Sequence, residues 1–346
     1  MRKAEVVMPL PAGFSLRRPT RDDVEELTEL ARAVEIAQVG EPDTTRDDTR
    51  SHLETIDLAE DAWILETIEA PVATGGTDNL IVAYAYVYSN GVGKFSGNVT
   101  VRSDYERCGL GTYLKSLIET RASQRILEVP ADARITLNGS ILHGNAGALD
   151  FVQNAGMSLV RSFWRMQIDM TDPPPAPNWP GGLGTPRLFI AGCDERAVYE
   201  ADDEAFADHW GHSQRPFEEW LQWSVLRADF DPSLWFLAMD GDQIAGAALC
   251  WAVPDLGDTG LGWVGQLWVR RPWRKRGLGL ALLQHAFGEF YQRGYRRIVL
   301  GVDSTSLTGA TRLYERAGMR VVQQWDTYQR ELRPGIEYTT SALAEE

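Results

Sequence analysis

The chain has 346 residues, 44% hydrophobic and 24% charged, which is enough for two globular domains that each bury a core. A net charge of −15 and a pI near 4.9 argue against nucleic acid as a main partner, because phosphate backbones call for a basic face. Cys108, Cys193 and Cys250 lie too far apart for a metal spacing or a disulfide framework, and no apolar run approaches the ~18 residues of a membrane span, so a cytoplasmic protein with no metal and no membrane contact is expected.

Residues 1–13 read as a loose lead-in, without the apolar run of a signal peptide. A strand follows over 14–18. Thr20 caps a helix that carries Val24, Leu27, Leu30 and Ala33 at helical spacing. A polar stretch, 40–50, leads into a second helix near Asp47. Strands are predicted over 62–66 and 81–88, with Gly75 and Gly76 turning between them, and over 98–101. Gly109 and Gly111 open a helix through Leu114, Leu117 and Ile118. A strand over 135–137, a helix over 146–154 and a closing strand over 162–169 complete this half.

The next stretch, TDPPPAPNWPGGLGTP (171–186), is dense in proline and glycine and reads as a linker. The same order of elements then repeats. A strand over 187–191 precedes helices over 194–207 and 216–226. Strands over 234–239 and 244–253 flank an Asp240–Gly241 hairpin turn. Leu267, Trp268 and Val269 form a short apolar strand that Pro272 stops. Arg274, Gly277 and Gly279 then make an R-x-x-G-x-G turn. Leu278, Leu282, Ala286, Phe287 and Phe290 continue as a helix, with Gly294 as its C-cap. Another buried strand, 298–302, leads through a turn to a helix with Leu313 and Tyr314. Ala317-Gly318-Met319 enters a last strand.

The physics of the glycine turn is anion binding. Glycine lets the backbone approach a ligand, and the free N–H groups of the following helix point at it with the positive dipole end behind them. Arg271, Arg274, Lys275 and Arg276 add positive charge in an otherwise acidic chain. Aligning the glycines shows an internal duplication. Gly109 and Gly277 are 168 residues apart, as are Gly111 and Gly279, and Ala155-Gly156-Met157 matches Ala317-Gly318-Met319 at an offset of 162.

Together, the R-x-x-G-x-G turn and the Leu313-Tyr314 helix resemble the GNAT superfamily of acetyl-CoA-dependent N-acyltransferases, in two tandem copies whose layout is similar to that of mycothiol synthase. The resemblance implies an α+β (mixed α/β) fold. Each copy would have a mixed, mostly antiparallel sheet flanked by helices: a first domain over 12–170, the linker 171–186 and a second domain over 187–335. The function it implies is acetyl transfer from acetyl-CoA to the primary amine of a small metabolite or antibiotic, by direct attack in a ternary complex. The alternative is a non-catalytic acyl-CoA-binding or structural protein. The acetyltransferase would be a monomer with pseudo-dimeric domains, or a homodimer.

By the same resemblance, Leu267, Trp268 and Val269 hold the pantetheine and polarise the thioester. Arg274, Lys275, Arg276, Gly277, Leu278, Gly279 and Leu280 cradle the diphosphate. Ser306 stands where the family often has asparagine in contact with CoA, and Tyr314 protonates the departing thiolate. The first copy departs at both informative positions. Glu106 stands where the second copy has Arg274, and a carboxylate beside a diphosphate is repelled by roughly 1 kcal/mol or more. Val152 stands where the second has Tyr314, so the second copy is expected to be catalytic.

An amine must lose a proton to attack, and in the fourth strand of the second copy there is Gln266 rather than a carboxylate. Candidates for the base or for acceptor contact are Glu204, Asp208, His209 and His212, with Asp208 and His212 put forward as site residues. Phe206, Trp210, Phe217, Trp220 and Trp223 interleave with them. They line an acidic, aromatic cleft or simply form the core of a helix pair.

Overall fold

The computed structural model describes residues 8–68, 79–207, 214–227, 229–253, 260–305 and 309–338. They fall into two units, one running to Val160 and including Thr327–Tyr338, the other Arg161–Asp326.

In the first unit the order is β1 (Phe14–Arg17), α1 (Val24–Val39), α2 (Arg46–Thr55), β2 (Ala62–Thr67), β3 (Ile81–Ser89), β4 (Lys94–Val101), α3 (Leu110–Arg125), β5 (Ile135–Leu142) and α4 (Ala146–Asn154). β1, β2, β3 and β4 are antiparallel neighbours, and β5 joins β4 in parallel. β3 reads as a near-continuous apolar run because both faces are covered. Val82, Ala85 and Val87 pack with Leu110, Leu114 and Ile118 of α3, while Ile81 and Tyr84 pack with Leu27 and Leu30 of α1.

The second unit takes most of β6 (Ser158–Asp169), then β7 (Arg187–Leu188), α5 (Glu195–Phe206), α6 (Phe217–Trp223), β8 (Trp235–Asp240), β9 (Gln243–Val253), β10 (Leu261–Val269), α7 (Leu278–Gln292), β11 (Arg297–Asp303), α8 (Ala310–Arg316) and the start of β12 (Arg320–Arg333). β7 to β10 are antiparallel, and β10 and β11 are parallel. The helical spacing of Leu278, Leu282, Ala286, Phe287 and Phe290 is realised. All five are buried against Val264, Ile298 and Leu300 on one face of the sheet. The opposite face carries α5 and α6 through Val198, Tyr199, Trp220, Leu249 and Trp268.

Two assignments differ from chain order. The strand predicted to close the first domain, 162–169, pairs antiparallel with β11, Phe163 opposite Asp303 and Asp169 opposite Arg297. The end of β12 belongs instead to the first unit, where Gln329 Nε2 donates to Asn138 Oδ1 at 2.8 Å and Arg134 Nε meets Glu331 at 2.8 Å. Alternating apolar residues show that a segment is a strand. Its partner is set by register and cross-strand pairs, here Arg161 with Asp303 at 2.8 Å and Trp164 Nε1 donating to Gln324 at 2.9 Å. The proline-rich stretch also belongs to the second unit, with Trp179 and Leu183 packed on its core. The Gly75-Gly76 turn lies outside the described residues. Among those described, no helix is long and apolar enough to cross a membrane.

β10 carries a bulge at Gly265, where its register with β9 shifts between Val264 and Gln266. A Cβ there would lie 1.7 Å from Cζ3 of Trp251, whose ring stacks on Trp263 at 5.9 Å and 6°. Gly265→Val should therefore destabilise the protein by about 1–3 kcal/mol, because both indoles must move. Urea unfolding followed by tryptophan fluorescence checks this, and an unchanged midpoint would contradict it.

Candidate active site

The parallel ladder between β10 and β11 is short. Leu261, Gly262 and Trp263 pair with Arg297, Ile298 and Val299, and there it ends, while β10 keeps pairing with β9 as far as Val269. Past the bulge, the backbone groups of Gln266–Val269 that face β11 have no ladder partner among the described residues. Alternation puts the half-buried Leu267 and Val269 side chains with the α7 core, whereas Trp268 points into the α5 and α6 core. An opened strand with preset N–H donors can hold an extended amide-bearing chain and polarise a carbonyl.

β10 ends in a tight turn. Pro272 opens a single 3-10 turn, and Trp273 Nε1 donates to Asp240 at 2.8 Å. Lys275 (φ 62°) and Gly277 (φ 92°) are both left-handed. That conformation strains a lysine by roughly 1 kcal/mol or more and is held by the surrounding turn. The first α7 bond runs from the Ala281 N–H to the Gly277 carbonyl, so the N–H groups of Leu278, Gly279 and Leu280 are the first-turn donors that the helix itself leaves unpaired. Lys275 and Arg276 are exposed beside them, and Leu278 is buried. Arg274 is used differently from the phosphate role read from the motif. Its guanidinium donates to the carbonyls of Val269 and Ala205, both at 3.0 Å, tying the end of β10 to α5.

Gly279 brings α8 close, since a Cβ on it would sit 3.1 Å from Leu313 Cδ1. The next residue, Tyr314, is 7% exposed within the α7 core. Burial pushes its phenol up to about 12, so it carries a proton at neutral pH. The arrangement therefore has a phosphate-ready helix start, a strand with open backbone groups and a protonated tyrosine, all around α7.

Residues 196–319 match the model described as the acetyltransferase (GNAT) family. The chain is 30% identical to a mycothiol acetyltransferase of Thermobispora bispora over 227 residues, which cover 64% of this chain and 72% of that one. A solved GCN5-related N-acetyltransferase from Sphaerobacter thermophilus superposes with a TM-score of 0.78 at 36% identity, covering 96% of this chain and 100% of that one. The chain belongs to the GNAT acetyltransferase family. A tandem GNAT protein from the clavulanic acid biosynthesis pathway, 15% identical, superposes with a TM-score of 0.68 over 93% of this chain and 100% of that one, and so shares its fold.

This acetyltransferase carries the fold twice, and the copies agree in backbone more than in side chains. Arg107 (φ 61°) and Gly109 (φ 82°) repeat the left-handed pair of Lys275 and Gly277. The β4–β5 ladder also stops three residues in, at Ser96 opposite Asn138. The differences lie where a reaction would occur. β4 pairs with β3 without the register shift seen in β10. Glu106 stands for Arg274, and the buried Val152 for Tyr314.

Three of the sequence-derived site residues, Ser306, Asp208 and His212, lie outside the described residues, as do His209 and Trp210. Glu204 is an exposed partner of Arg270, at 2.6 Å. Of the aromatic stretch, Phe217 and Trp220 stack at 6.1 Å within the α5 and α6 core, and Trp223 is exposed. What the motif reading missed is Asp202, on the buried face of α5 four residues after Val198. The polar ends of Trp220 and Gln266 lie beside it and favour its charged form, but burial, with help from Asp203, raises it to about 7 against them. The available signal was a carboxylate interrupting the apolar stripe of Val198, Ala201 and Ala205.

Proposed function

We propose that the second unit transfers the acetyl group of acetyl-CoA to the primary amine of a small metabolite by direct attack in a ternary complex. The observation that carries this reading is the opening between β10 and β11 beside the free first turn of α7. In it, the backbone of Leu267, Trp268 and Val269 holds the pantetheine arm and stabilises the tetrahedral oxyanion. Lys275, Arg276, Gly277, Leu278, Gly279 and Leu280 surround the diphosphate, with Arg274 bracing the turn from behind. The amine nitrogen bonds to the thioester carbon, the C–S bond breaks, and Tyr314 gives its proton to the thiolate. With Glu106 in place of the bracing Arg274 and Val152 in place of the acid Tyr314, the first unit performs no chemistry.

Relatives named mycothiol acetyltransferase make the mycothiol series the first small molecules to test. Calorimetric titration with acetyl-CoA, followed by thiol release across a library of primary amines, tests the reading. Saturable binding with amine-dependent thiol release is expected. A folded protein that takes up no acetyl-CoA would overturn it.

A further inference from the structure

Two buried polar atoms between α5 and β10 have no hydrogen-bond partner among the described residues: Asp202 Oδ1, an acceptor, and Trp268 Nε1, a donor. Leaving such atoms unpaired costs about 1–3 kcal/mol each, so their persistence points to a group that completes them. Asp202 is 8% exposed, with the Trp220 indole of α6 and the Gln266 amide of β10 beside it. Gln266 directly follows the bulge at which β10 parts from β11. The free carboxylate oxygen is thus one side chain away from the opened strand, on the sheet face opposite α7.

We propose that Asp202 is the proton acceptor of the transfer, its Oδ1 taking the proton that the acceptor amine loses on attacking the thioester. The proposal rests on the acetyl-transfer reading above. As the N–C bond forms and the C–S bond breaks, the carboxylate becomes a carboxylic acid and the Tyr314 phenol gives its proton to CoA. Exchange with solvent restores both groups. Gln266, beside the carboxylate on β10, acts as a positioning residue between it and the opened strand.

The charged groups acting on Asp202 are Asp203, which raises its affinity for the proton, and Arg215, which lowers it. Among the described residues the other groups beside it are neutral, Trp220 on α6 and Gln266 on β10. With a carboxyl raised to about 7, the base is protonated and idle below that pH and competent above it, so kcat/KM should climb with pH through about 7.

The test compares wild type, D202N and D202E, with acetyl-CoA and three amine probes: glucosamine, spermidine and phenylalaninamide. D202N should lower kcat/KM roughly 100-fold or more at alkaline pH and remove the enzyme's own ionisation from the acid limb, leaving only the limb set by each amine's pKa, with acetyl-CoA affinity within about twofold of wild type. D202E should keep a limb with a displaced midpoint, which a merely structural carboxylate would not produce. Independently of any acceptor, carboxyl-13C-aspartate spectra of the acetyl-CoA complex should contain a signal absent from D202N that titrates near neutrality. A D202N enzyme with wild-type rate and limb would overturn the assignment, as would an Asp202 signal that stays fixed from about pH 5 to 9. Failure of the underlying reading looks different, because the wild type itself would then bind no acetyl-CoA.

Discussion

Tyr314→Phe should lower kcat by about 100- to 1,000-fold and leave acetyl-CoA affinity within about twofold. A loss of that size is about 3–4 kcal/mol of transition-state stabilisation. The substitution removes only the hydroxyl, so the ring keeps its place in the α7 core with Leu278, Leu282 and Met319. The phenol is raised to about 12 by burial and stays protonated across the neutral range, so the wild-type rate should show no fall attributable to it below about pH 10. Single-turnover kinetics with acetyl-CoA separate this loss from one in product release. An unchanged kcat would remove Tyr314 from the chemistry, leaving the α7 turn and the opened strand as a binding site alone.

Gly277→Glu should weaken acetyl-CoA binding by about 100-fold or more, some 2.7 kcal/mol. Gly277 has φ 92°, and a Cβ there would point into open space, so the new side chain meets no packing obstacle. It meets two other penalties. A left-handed backbone is costly for glutamate, and its carboxylate would stand beside the first-turn donors of α7, where a diphosphate is expected. Gly277→Asn, which tolerates the left-handed region, isolates the charge and should lose far less. Gly109→Glu is the matching change in the first unit and should leave the measured affinity unaltered. Calorimetric titration of all three against wild type checks these outcomes. If Gly109→Glu alone abolished binding, the cofactor would belong to the first unit.

Much of this was legible in the residues because it rests on local chemistry. Helical spacing marked the buried face of α7, and the glycine turn before it set a backbone that the structure repeats in both copies. Other features depend on contacts distant in sequence. The bulge at Gly265 arises from how β9 and β10 pair, so neighbouring residues do not announce it. The motif also assigns Arg274 to phosphate, but its guanidinium reaches two carbonyls, one of them 69 residues away at Ala205. Asp202 gains its character from burial against α6 and β10, which bring Trp220 and Gln266 beside it. The pairing of 162–169 was hidden for the same reason: a strand's periodicity does not name its neighbour.

That last feature bears on how the polypeptide matures. A ribosome delivers the amino-terminal unit first, yet 327–338 belongs to it as well, almost 170 residues downstream of Val160. Until that stretch emerges, the nascent unit lacks the residues that engage Asn138 on β5 and Arg134 just before it. Completion of the earlier unit is thereby deferred until residues 327–338 have been made, and an excised fragment ending at Val160 would lack part of its own fold.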